Sequence, residues 1–248
     1  MSQLYLDLGN TRLKYWFTSG GSVQTSGAEE HLLAPAELLQ GLMGEFLKLR
    51  PTHVVVSSVL GTELNERINE RLVGLGLNTL WARVQQTHPR LHTHYNASLL
   101  GVDRWLQLLG AVDPLKRQTV VSCGTALTID FLDHEEHVGG FILPGLKLQA
   151  EALSKGTRQI GLYEPSELSL RPGVTTQQAV EHGILLNQLG SLVLALKQFP
   201  SELVFTGGDA ALMHRLISGS QDQFFDSNQR FRVDPMLILK GLERFVET

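Results

Sequence analysis

Leu4-Tyr5-Leu6-Asp7-Leu8-Gly9-Asn10-Thr11-Arg12-Leu13-Lys14 is the stretch that decides the fold, because it places a carboxylate at the end of an apolar strand and then turns the chain. The hard oxygen ligands of Asp7 can hold Mg²⁺, chiefly through water. Gly9 lets the backbone approach an anion closely, and Asn10 and Thr11 can donate hydrogen bonds to phosphate oxygens. The lysine that ends the stretch adds a positive point charge. The order predicts a strand-turn-strand hairpin that binds the phosphates of a nucleotide.

The same residues would also suit a plain hairpin whose polar side chains cap backbone amides. The chain has neither a Walker-type Gly-x-x-x-x-Gly-Lys-Ser/Thr motif nor a Gly-x-Gly-x-x-Gly motif that would separate the two interpretations. The rest of the sequence has to distinguish a structural turn from a phosphate turn.

Composition is that of an ordinary globular protein. A length of 248 residues, with 42% hydrophobic and 19% charged residues, allows one large domain or two small ones with a substantial core. The formal net charge of −4 and the lack of clustered Lys and Arg with interleaved aromatic residues argue against nucleic-acid binding.

Cysteine usage and hydropathy predict a cytoplasmic location. The single Cys123 excludes an intramolecular disulfide framework and is typical of a reducing compartment. Asp7 lies where a signal peptide would need its apolar core, and no run of 18 apolar residues occurs. We therefore expect no membrane partner.

Hydrophobic periodicity predicts the same order of elements twice. The first pass has strands at 3–8, 12–18 and 22–27, helix 34–49, strand 53–58, helix 63–75, strand 78–82 and helix 102–112. Asp113-Pro114 breaks the last helix. The second pass has two strands on either side of a glycine turn within 119–132, a strand near 138–143, helices at 145–157 and 176–198, strand 201–205, helix 210–217, strand 231–233 and helix 235–246.

This repetition indicates an internal duplication rather than a solenoid. Gly9 and Gly124 occupy equivalent turns in the two passes. We predict two α/β halves, 1–114 and 115–248, each with a phosphate-binding hairpin, which together would hold a nucleotide.

Four signatures follow in a fixed order: Asp7-x-Gly9-Asn10-Thr11, Gly101-Val102-Asp103-Arg104, Gly124-Thr125-Ala126 and Thr206-Gly207-Gly208-Asp209. They resemble the first phosphate motif, the substrate motif, the second phosphate motif and the adenosine region of the type III pantothenate kinases. That family belongs to the acetate-kinase, sugar-kinase, Hsp70 and actin superfamily, and the match extends across nearly the whole chain. The resemblance implies duplicated ribonuclease H-like domains of the actin-like ATPase type, with a nucleotide cleft between them.

The resemblance also implies an activity, the ATP-dependent phosphorylation of pantothenate to 4′-phosphopantothenate at the start of coenzyme A biosynthesis. Mg²⁺ would accompany ATP and be held by Asp7 through water. The residues implied in ATP binding are Asp7, Leu8, Gly9, Asn10, Thr11, Arg12, Leu13, Lys14, Thr125, Gly207 and Gly208.

Asp103 is implied as the catalytic residue, which accepts the proton of the primary hydroxyl of pantothenate. The macrodipole of a helix that begins there favours its ionised form by about 0.3–1 kcal/mol. The residues implied in pantothenate binding are Tyr95, Gly101, Val102, Asp103, Arg104 and Thr176. The threonine would reach the pantothenate of a partner subunit, so the resemblance implies a homodimer with shared active sites. Simpler roles stay open: a core position for Tyr95, and helix caps for Asp103 and Thr176.

The second phosphate motif departs from the family pattern at one position. The family commonly has Asp-x-Gly-Thr-Ala, in which the aspartate holds an activating K⁺ or NH₄⁺, whereas this chain has Ser122 in that place. A neutral hydroxyl lacks the charge for such a site, which argues against dependence on a monovalent cation. Asp130 is the nearby acid that could substitute. Cys123 is interpreted as a small buried residue rather than a nucleophile.

Two histidine-containing stretches, 92–94 and 134–137, have no zinc-site spacing, and we interpret them as loop or hairpin residues rather than metal ligands. Two other functions are weighed against the kinase. One is a non-catalytic accessory factor for transcription of the Baf type. The intact phosphate and Gly-Val-Asp-Arg motifs disfavour it. The other is a different phosphotransferase of the superfamily, which would have to contain residues 101–104 by chance.

Overall fold

The structure is a computed structural model that describes residues 2–31, 34–220, 224–225 and 228–247. It contains two compact units. The first comprises Met1–Pro89, Asn96–Gly110 and Leu237–Thr248, and the second comprises Arg90–Tyr95 and Ala111–Met236. The predicted boundary at residue 114 separates the two repeated halves of the sequence, and these halves are defined differently from the two compact units. The boundary therefore stays a prediction.

Strands and helices alternate as the periodicity predicts. The strands are β1 (Ser2–Leu8), β2 (Arg12–Ser19), β3 (Ser22–Glu30), β4 (His53–Ser58), β5 (Thr79–Trp81), β6 (Thr87–His88), β7 (Leu91–Thr93), β8 (Arg117–Cys123), β9 (Ala126–Asp133), β10 (Glu136–Pro144), β11 (Glu202–Thr206) and β12 (Phe231–Val233). The described helices are α1 (Pro35–Lys48), α2 (Thr62–Gly74), α3 (Val102–Ala111), α4 (Leu146–Gly156), α5 (Thr176–Gln198), α6 (Ala210–Ser218) and α7 (Leu237–Val246).

The sheet of the first unit has the order β3-β2-β1-β4-β5. Strands β1, β2 and β3 form an antiparallel meander, whereas β4 and β5 run parallel to β1. Leu4, Leu6 and Leu8 alternate along β1 and are fully buried in a core that also contains residues of α1 and α2. This two-residue period buries one face of β1 against the helices.

The C-terminal helix α7 packs closely on α3 within the first unit. A Cβ atom at Gly110 would lie 2.1 Å from the Leu237 carbonyl oxygen, and one at Gly241 would lie 2.0 Å from that of Leu106. The Arg244 guanidinium also donates to the Leu109 carbonyl oxygen at 2.5 Å. Small residues at the crossing allow this close approach, so α7 supports the helix that bears Asp103 in its first turn.

The second unit repeats the strand order of the first. Its strands run β12-β11-β8-β9-β10-β7, in which β8, β9 and β10 form the meander and β11 and β12 lie parallel to β8. In each sheet the first strand of the meander lies between the second strand of the meander and a parallel strand. This shared topology confirms the predicted α/β fold class with two duplicated domains.

Helix α5 forms much of the core of the second unit. Val180, Ile184, Leu185, Leu189 and Leu192 are buried in a cluster with residues of β8, β9, β11 and α6. By length and composition α5 could also cross a membrane, but half of its apolar stretch is buried inside the protein. The burial explains its apolar character as that of a core helix.

Strands β6 and β7 were not predicted. Leu91–Thr93 pairs in parallel with β10, so that His137 lies opposite Thr93. The interpretation of the two histidine-containing stretches as loop or hairpin residues is confirmed for 134–137, which form the turn and first residues of the β9–β10 hairpin, whereas Thr93 belongs to the separate strand β7. Strands of two or three residues are too short to show an alternating pattern in the sequence.

Candidate functional site

The predicted phosphate turn joins the carboxyl end of β1 to the start of β2 in the first sheet. The Gly9 amide donates to the Arg12 carbonyl oxygen at 3.0 Å, and a Cβ atom at Gly9 would lie 3.2 Å from that oxygen. Asn10 and Thr11 are exposed at the tip of the turn. Their amide and hydroxyl groups are therefore accessible to a ligand from solvent.

Three other residues of the predicted ATP-binding stretch contribute differently. Leu8 and Leu13 are fully buried core residues, so only their backbone atoms could contact a ligand. The Arg12 guanidinium donates to the Glu30 carboxylate at 2.9 Å across β2 and β3. This ion pair directs the Arg12 side chain along the sheet rather than over the tip of the turn.

Asp7 lies beside Lys14 and Ser57 in the two neighbouring strands of the sheet. Its carboxylate is 6% exposed, and the Lys14 ammonium group lies 4.0 Å from it. Burial raises the pKa of Asp7 from 3.8 to about 6; Lys14 lowers it, the charge of Asp103 raises it further, and the Ser57 hydroxyl lowers it slightly. The single lysine thus does not fully compensate a buried carboxylate.

Asp103 occupies the first turn of α3, and its Oδ1 atom accepts a hydrogen bond from the Arg104 amide at 2.9 Å. The helix begins with the Trp105 amide donating to the Gly101 carbonyl oxygen, so Asp103 lies inside the helix and is not its cap. Since its charge influences Asp7, the structure brings the two acids of separate motifs into one cluster.

The short distance between Gly101 and the Asp103 side chain explains why the Gly-Val-Asp-Arg motif begins with glycine. A Cβ atom at this position would lie 2.6 Å from Oδ1 of Asp103, which is closer than nonbonded atoms approach. No backbone atom is as close, so the carboxylate itself would have to rotate away. Glycine at this position therefore leaves room for the Asp103 carboxylate in its observed orientation.

We expect Gly101→Ala to lower kcat by about tenfold or more, because the added methyl group would displace the carboxylate of Asp103, the residue predicted from the sequence to be catalytic. Stability should change by less than about 1 kcal/mol, since an aspartate side chain yields easily. Gly44→Ala is the matched control, because a Cβ there meets no atom within 4 Å. Steady-state rates and thermal unfolding measure both effects. An unchanged kcat in Gly101→Ala would contradict this explanation.

The remaining residues of the substrate motif differ in exposure. Val102 is partly exposed at the start of α3, whereas the Arg104 side chain is buried, with 6% of its surface exposed. A buried guanidinium is held in a fixed orientation, which suits directed hydrogen bonds to a small polar ligand.

His31 is a residue of this site that the sequence analysis missed. Its backbone amide donates to the Thr11 carbonyl oxygen at 3.1 Å, and its Nε2 atom lies 2.9 Å from the Gly9 carbonyl oxygen. With both carbonyl groups bound to this buried histidine, the turn is held from the side of β3. Only the pairing of β2 with β3 places His31 there, and no motif marks it.

The second phosphate motif forms a tight turn between β8 and β9 in the second unit. The Gly124 amide donates to the Ala126 carbonyl oxygen, and Thr125 is exposed at the tip. The Gly145 amide, at the start of α4, donates to the Thr125 carbonyl oxygen at 3.0 Å. A Cβ at Gly145 would lie 2.0 Å from the Gly124 carbonyl oxygen, so this approach requires glycine.

The predicted adenosine region approaches the same turn. Gly207 has a φ of +94°, and a Cβ there would lie 2.2 Å from the Cys123 carbonyl oxygen. The Asp209 amide donates to that same oxygen at 3.1 Å. Gly208 is exposed between them, just before α6. The structure thus places Thr125 and the two glycines at the carboxyl ends of neighbouring strands β8 and β11.

Ser122 and Cys123 end β8. Ser122 is partly exposed, whereas Cys123 is buried, and burial together with the charge of Asp209 raises the pKa of its thiol. This confirms the interpretation of Cys123 as a small buried residue. The alternative acid, Asp130, is also buried, and its carboxylate bonds the His137 ring at 3.1 Å.

Tyr95 and Thr176 both belong to the second unit. The Tyr95 ring is partly buried and stacks on His137. Thr176 is exposed in the first turn of α5, but the hydroxyl that caps this helix is that of Thr175, which accepts from the Gln178 amide at 3.2 Å. The alternative role of Thr176 as the helix cap was therefore wrong.

The Asp7 cluster suits a magnesium ion that arrives with a nucleotide. Among the described residues no group of three or more His, Cys, Asp or Glu side chains could hold a metal by itself. Mg²⁺ commonly uses one or two carboxylates together with water and substrate phosphates. Because Asp7 is buried and incompletely compensated, a divalent charge beside it would stabilise its ionised form.

Comparison with known proteins adds independent evidence. Residues 3–196 match the family model of the type III pantothenate kinases. The chain is 43% identical over 246 residues to the type III pantothenate kinase of Psychrobacter cryohalolentis, covering 98% of each sequence.

Solved structures show the same fold at lower identity. A protein assigned as a Baf family transcriptional activator from Campylobacter jejuni is similar with a TM-score of 0.62 and 22% identity, over 98% of this chain and 97% of that one. A protein assigned as a 2-dehydro-3-deoxygalactonokinase from Sinorhizobium meliloti gives a TM-score of 0.61 and 14% identity, over 99% and 98%. At such identities the likeness concerns the fold alone.

Proposed function

This chain belongs to the type III pantothenate kinases, and from that membership we propose how its residues transfer the γ-phosphoryl group of ATP to pantothenate. The product is 4′-phosphopantothenate, and the reaction is the first step of coenzyme A biosynthesis. The observation that carries the residue assignment is the cluster of Asp7, Lys14 and Asp103, which joins the phosphate turn to the substrate motif.

The two acids of the cluster take different roles. Asp103 orients the primary hydroxyl of pantothenate and accepts its proton as the hydroxyl oxygen bonds to the γ-phosphorus. The bond from that phosphorus to the oxygen bridging to the β-phosphate breaks, and ADP leaves. Since phosphoryl transfer passes through a loose transition state, the orientation of the hydroxyl matters more than its early deprotonation.

Asp7 and the phosphate turns hold the nucleotide. Asp7 would hold Mg²⁺ through water, and the ion supplies positive charge that neutralises the phosphate oxygens. Asn10, Thr11, Lys14 and Thr125 are the proposed donors to the phosphates. Gly207 and Gly208 leave room for the nucleoside. Donors fixed in this way stabilise charge on the transferred group without reorganisation.

Pantothenate is half polar and half aliphatic, so we propose that both polar groups and an aromatic ring of the protein bind it. Arg104 and the backbone at Gly101 and Val102 bind its polar end, and Tyr95 covers it with a ring that ends in a hydroxyl. Thr176 reaches the pantothenate of a partner subunit. Thr176 is exposed in the first turn of α5, and the cap of this helix is Thr175, so the Thr176 hydroxyl is not used as the helix cap; this supports the role.

A homodimer is supported by the outer face of α5. Leu186 and Leu194 are 54% and 62% exposed on this helix, and a Cβ at Gly183 or Gly190 would meet no atom within 4 Å. An exposed apolar face with small residues between large ones is typical of a helix that packs on a second copy.

We expect Leu186→Asp to convert a dimer into a monomer and to abolish most activity, because a charge on this face would be buried without a partner. Sedimentation velocity measures the mass, and ADP release measures the rate. Leu115→Asp is the matched control, since Leu115 is 86% exposed on the segment between α3 and β8 and is not part of α5. A parent protein that is monomeric at micromolar concentration would overturn the dimer proposal.

The cation requirement should differ from the family pattern. Ser122 offers a hydroxyl where relatives have an aspartate, and Asp130 is already bonded to His137. We therefore propose activity without K⁺ or NH₄⁺, in a soluble cytoplasmic enzyme whose partners are ATP and pantothenate.

One experiment tests the function as a whole. Release of ADP from Mg·ATP by the purified protein is measured with and without pantothenate, in sodium, potassium and ammonium salts. The expected result is pantothenate-dependent ADP at similar rates in the three salts. Strong activation by K⁺ would overturn the cation proposal alone, whereas no pantothenate-dependent ADP in any salt would overturn the kinase.

A further inference from the structure

Thr93 and His137 meet in the second unit, although the sequence places them in two separate histidine-containing stretches. They lie opposite each other where β7 pairs with β10, and both side chains are buried. The third member of the group is Asp130 on β9, which is also buried. Three buried polar side chains in contact must satisfy one another, so their hydrogen bonds fix their geometry.

The hydrogen bonds of this group run in one direction. His137 Nε2 lies 3.1 Å from Asp130 Oδ1, and in the tautomer with its proton on Nε2 the ring donates to that carboxylate. In a neutral imidazole Nδ1 then accepts, and the Thr93 hydroxyl donates to it at 2.9 Å. The oxygen of that hydroxyl accepts the Tyr95 amide at 3.1 Å. The chain of donors therefore runs from the Tyr95 backbone to Asp130.

The Tyr95 ring is held by the same group. It lies nearly parallel to the His137 imidazole, with 5.9 Å between ring centroids and 6° between the ring planes. The backbone and the ring of Tyr95 are thus both fixed by buried neighbours. A partly exposed aromatic ring that is held in this way is prepared to bind a ligand without loss of rotamer freedom.

We propose that His137, bound by Asp130 and Thr93, is a positioning residue that sets the Tyr95 ring for the acceptor substrate. The inference rests on the proposed function, in which Tyr95 contacts pantothenate. His137 acts through Tyr95 and does not touch the reacting atoms. Its effect is confined to the acceptor, because no member of the group belongs to the phosphate turns.

Thr93→Val and Thr93→Ser form the sharpest pair of variants. Valine keeps the branched shape suited to a strand but removes the hydroxyl that joins Tyr95 to His137, whereas serine keeps the hydroxyl. In Thr93→Val the KM for pantothenate should rise about tenfold or more, while the KM for ATP stays within about twofold. Thr93→Ser should restore the parent value. His137→Gln, which can still donate to Asp130 but cannot stack as a ring, should show the same split.

An exposed histidine that directly follows β7 provides the control. His94 interacts with Glu136 at the surface, 3.3 Å away, and His94→Gln should leave both KM values unchanged. If Thr93→Val raises both KM values together and lowers the unfolding temperature, the group has a purely structural role and the proposal is overturned.

A double-mutant cycle shows whether Thr93 acts through Tyr95. In a Tyr95→Ala background, Thr93→Val should change the KM for pantothenate by less than about twofold, because the ring that it positions is gone. The same increase as in the parent background would overturn the proposal while the kinase assignment stands. A parent without pantothenate-dependent turnover would overturn both.

Discussion

Replacement of Asp103 by asparagine is expected to lower kcat for pantothenate phosphorylation by about 10²–10⁴-fold, the usual contribution of a positioned proton acceptor. Asparagine keeps the size of the side chain and can still accept the Arg104 amide through its oxygen, so α3 should be unchanged. It cannot take the proton of the hydroxyl. The loss should therefore appear in kcat, while Mg·ATP binds with its parent affinity.

Steady-state kinetics and calorimetric titration with Mg·ATP separate these effects. Asp113→Asn is the matched control, since Asp113 follows the opposite end of α3 and pairs with Lys116 at the surface. We expect parent kinetics for that variant. A kcat within a few-fold of the parent in Asp103→Asn would show that another group accepts the proton. Loss of Mg·ATP binding would show instead that Asp103 holds the nucleotide.

Much of the fold could be predicted because its signals are local. The apolar alternation of β1 and the helical periods of α1 and α5 are set by which face of each element is buried, and the structure has these elements within one or two residues of the predicted bounds. The repeated strand order followed from two glycine turns at equivalent places. Strands β6 and β7 could not be predicted, because two or three residues contain too little pattern.

The site was predictable to the extent that it consists of motifs. Asp7 and Asp103 were both expected in one site, and the structure shows that they influence each other electrostatically. His31 and His137 were missed in their roles, because each acts through strand pairing. The register that brings His137 to Thr93 depends on β10 and β7, which are more than 40 residues apart in sequence. Such pairings follow from topology, not from local spacing.

Asp7→Asn is expected to slow phosphoryl transfer strongly and, at the same time, to stabilise the folded protein near neutral pH. The parent carboxylate is buried, and its pKa is raised from 3.8 to about 6 by that burial, with Asp103 adding to the increase. The neutral amide removes the cost of a buried charge. It also removes the ligand through which Mg²⁺ would be held, so kcat/KM for ATP should fall by about 10²-fold or more.

The sign of the pH dependence follows from the raised pKa. The folded protein binds the Asp7 proton more tightly than the unfolded chain does. The contribution of Asp7 to the free energy of unfolding therefore falls as the pH rises from about 4 through about 6. The difference between 3.8 and about 6 corresponds to at most about 3 kcal/mol at higher pH. The free energy of unfolding of Asp7→Asn should therefore exceed that of the parent at about pH 8 and equal it below about pH 4.

Urea unfolding without nucleotide, at several pH values, measures this difference. Glu66→Gln is the matched control, because Glu66 is exposed on α2 and its neutralisation should change stability little at any pH. Mg·ATP binding to the parent should weaken as the pH falls through about 6, since the proton competes for the carboxylate that the metal requires. A variant less stable than the parent at pH 8 would show that Lys14 and Ser57 compensate the charge fully. The buried acid would then be a structural ion pair, whereas the expected gain in stability identifies a charge that the fold retains at a cost because the nucleotide site needs it.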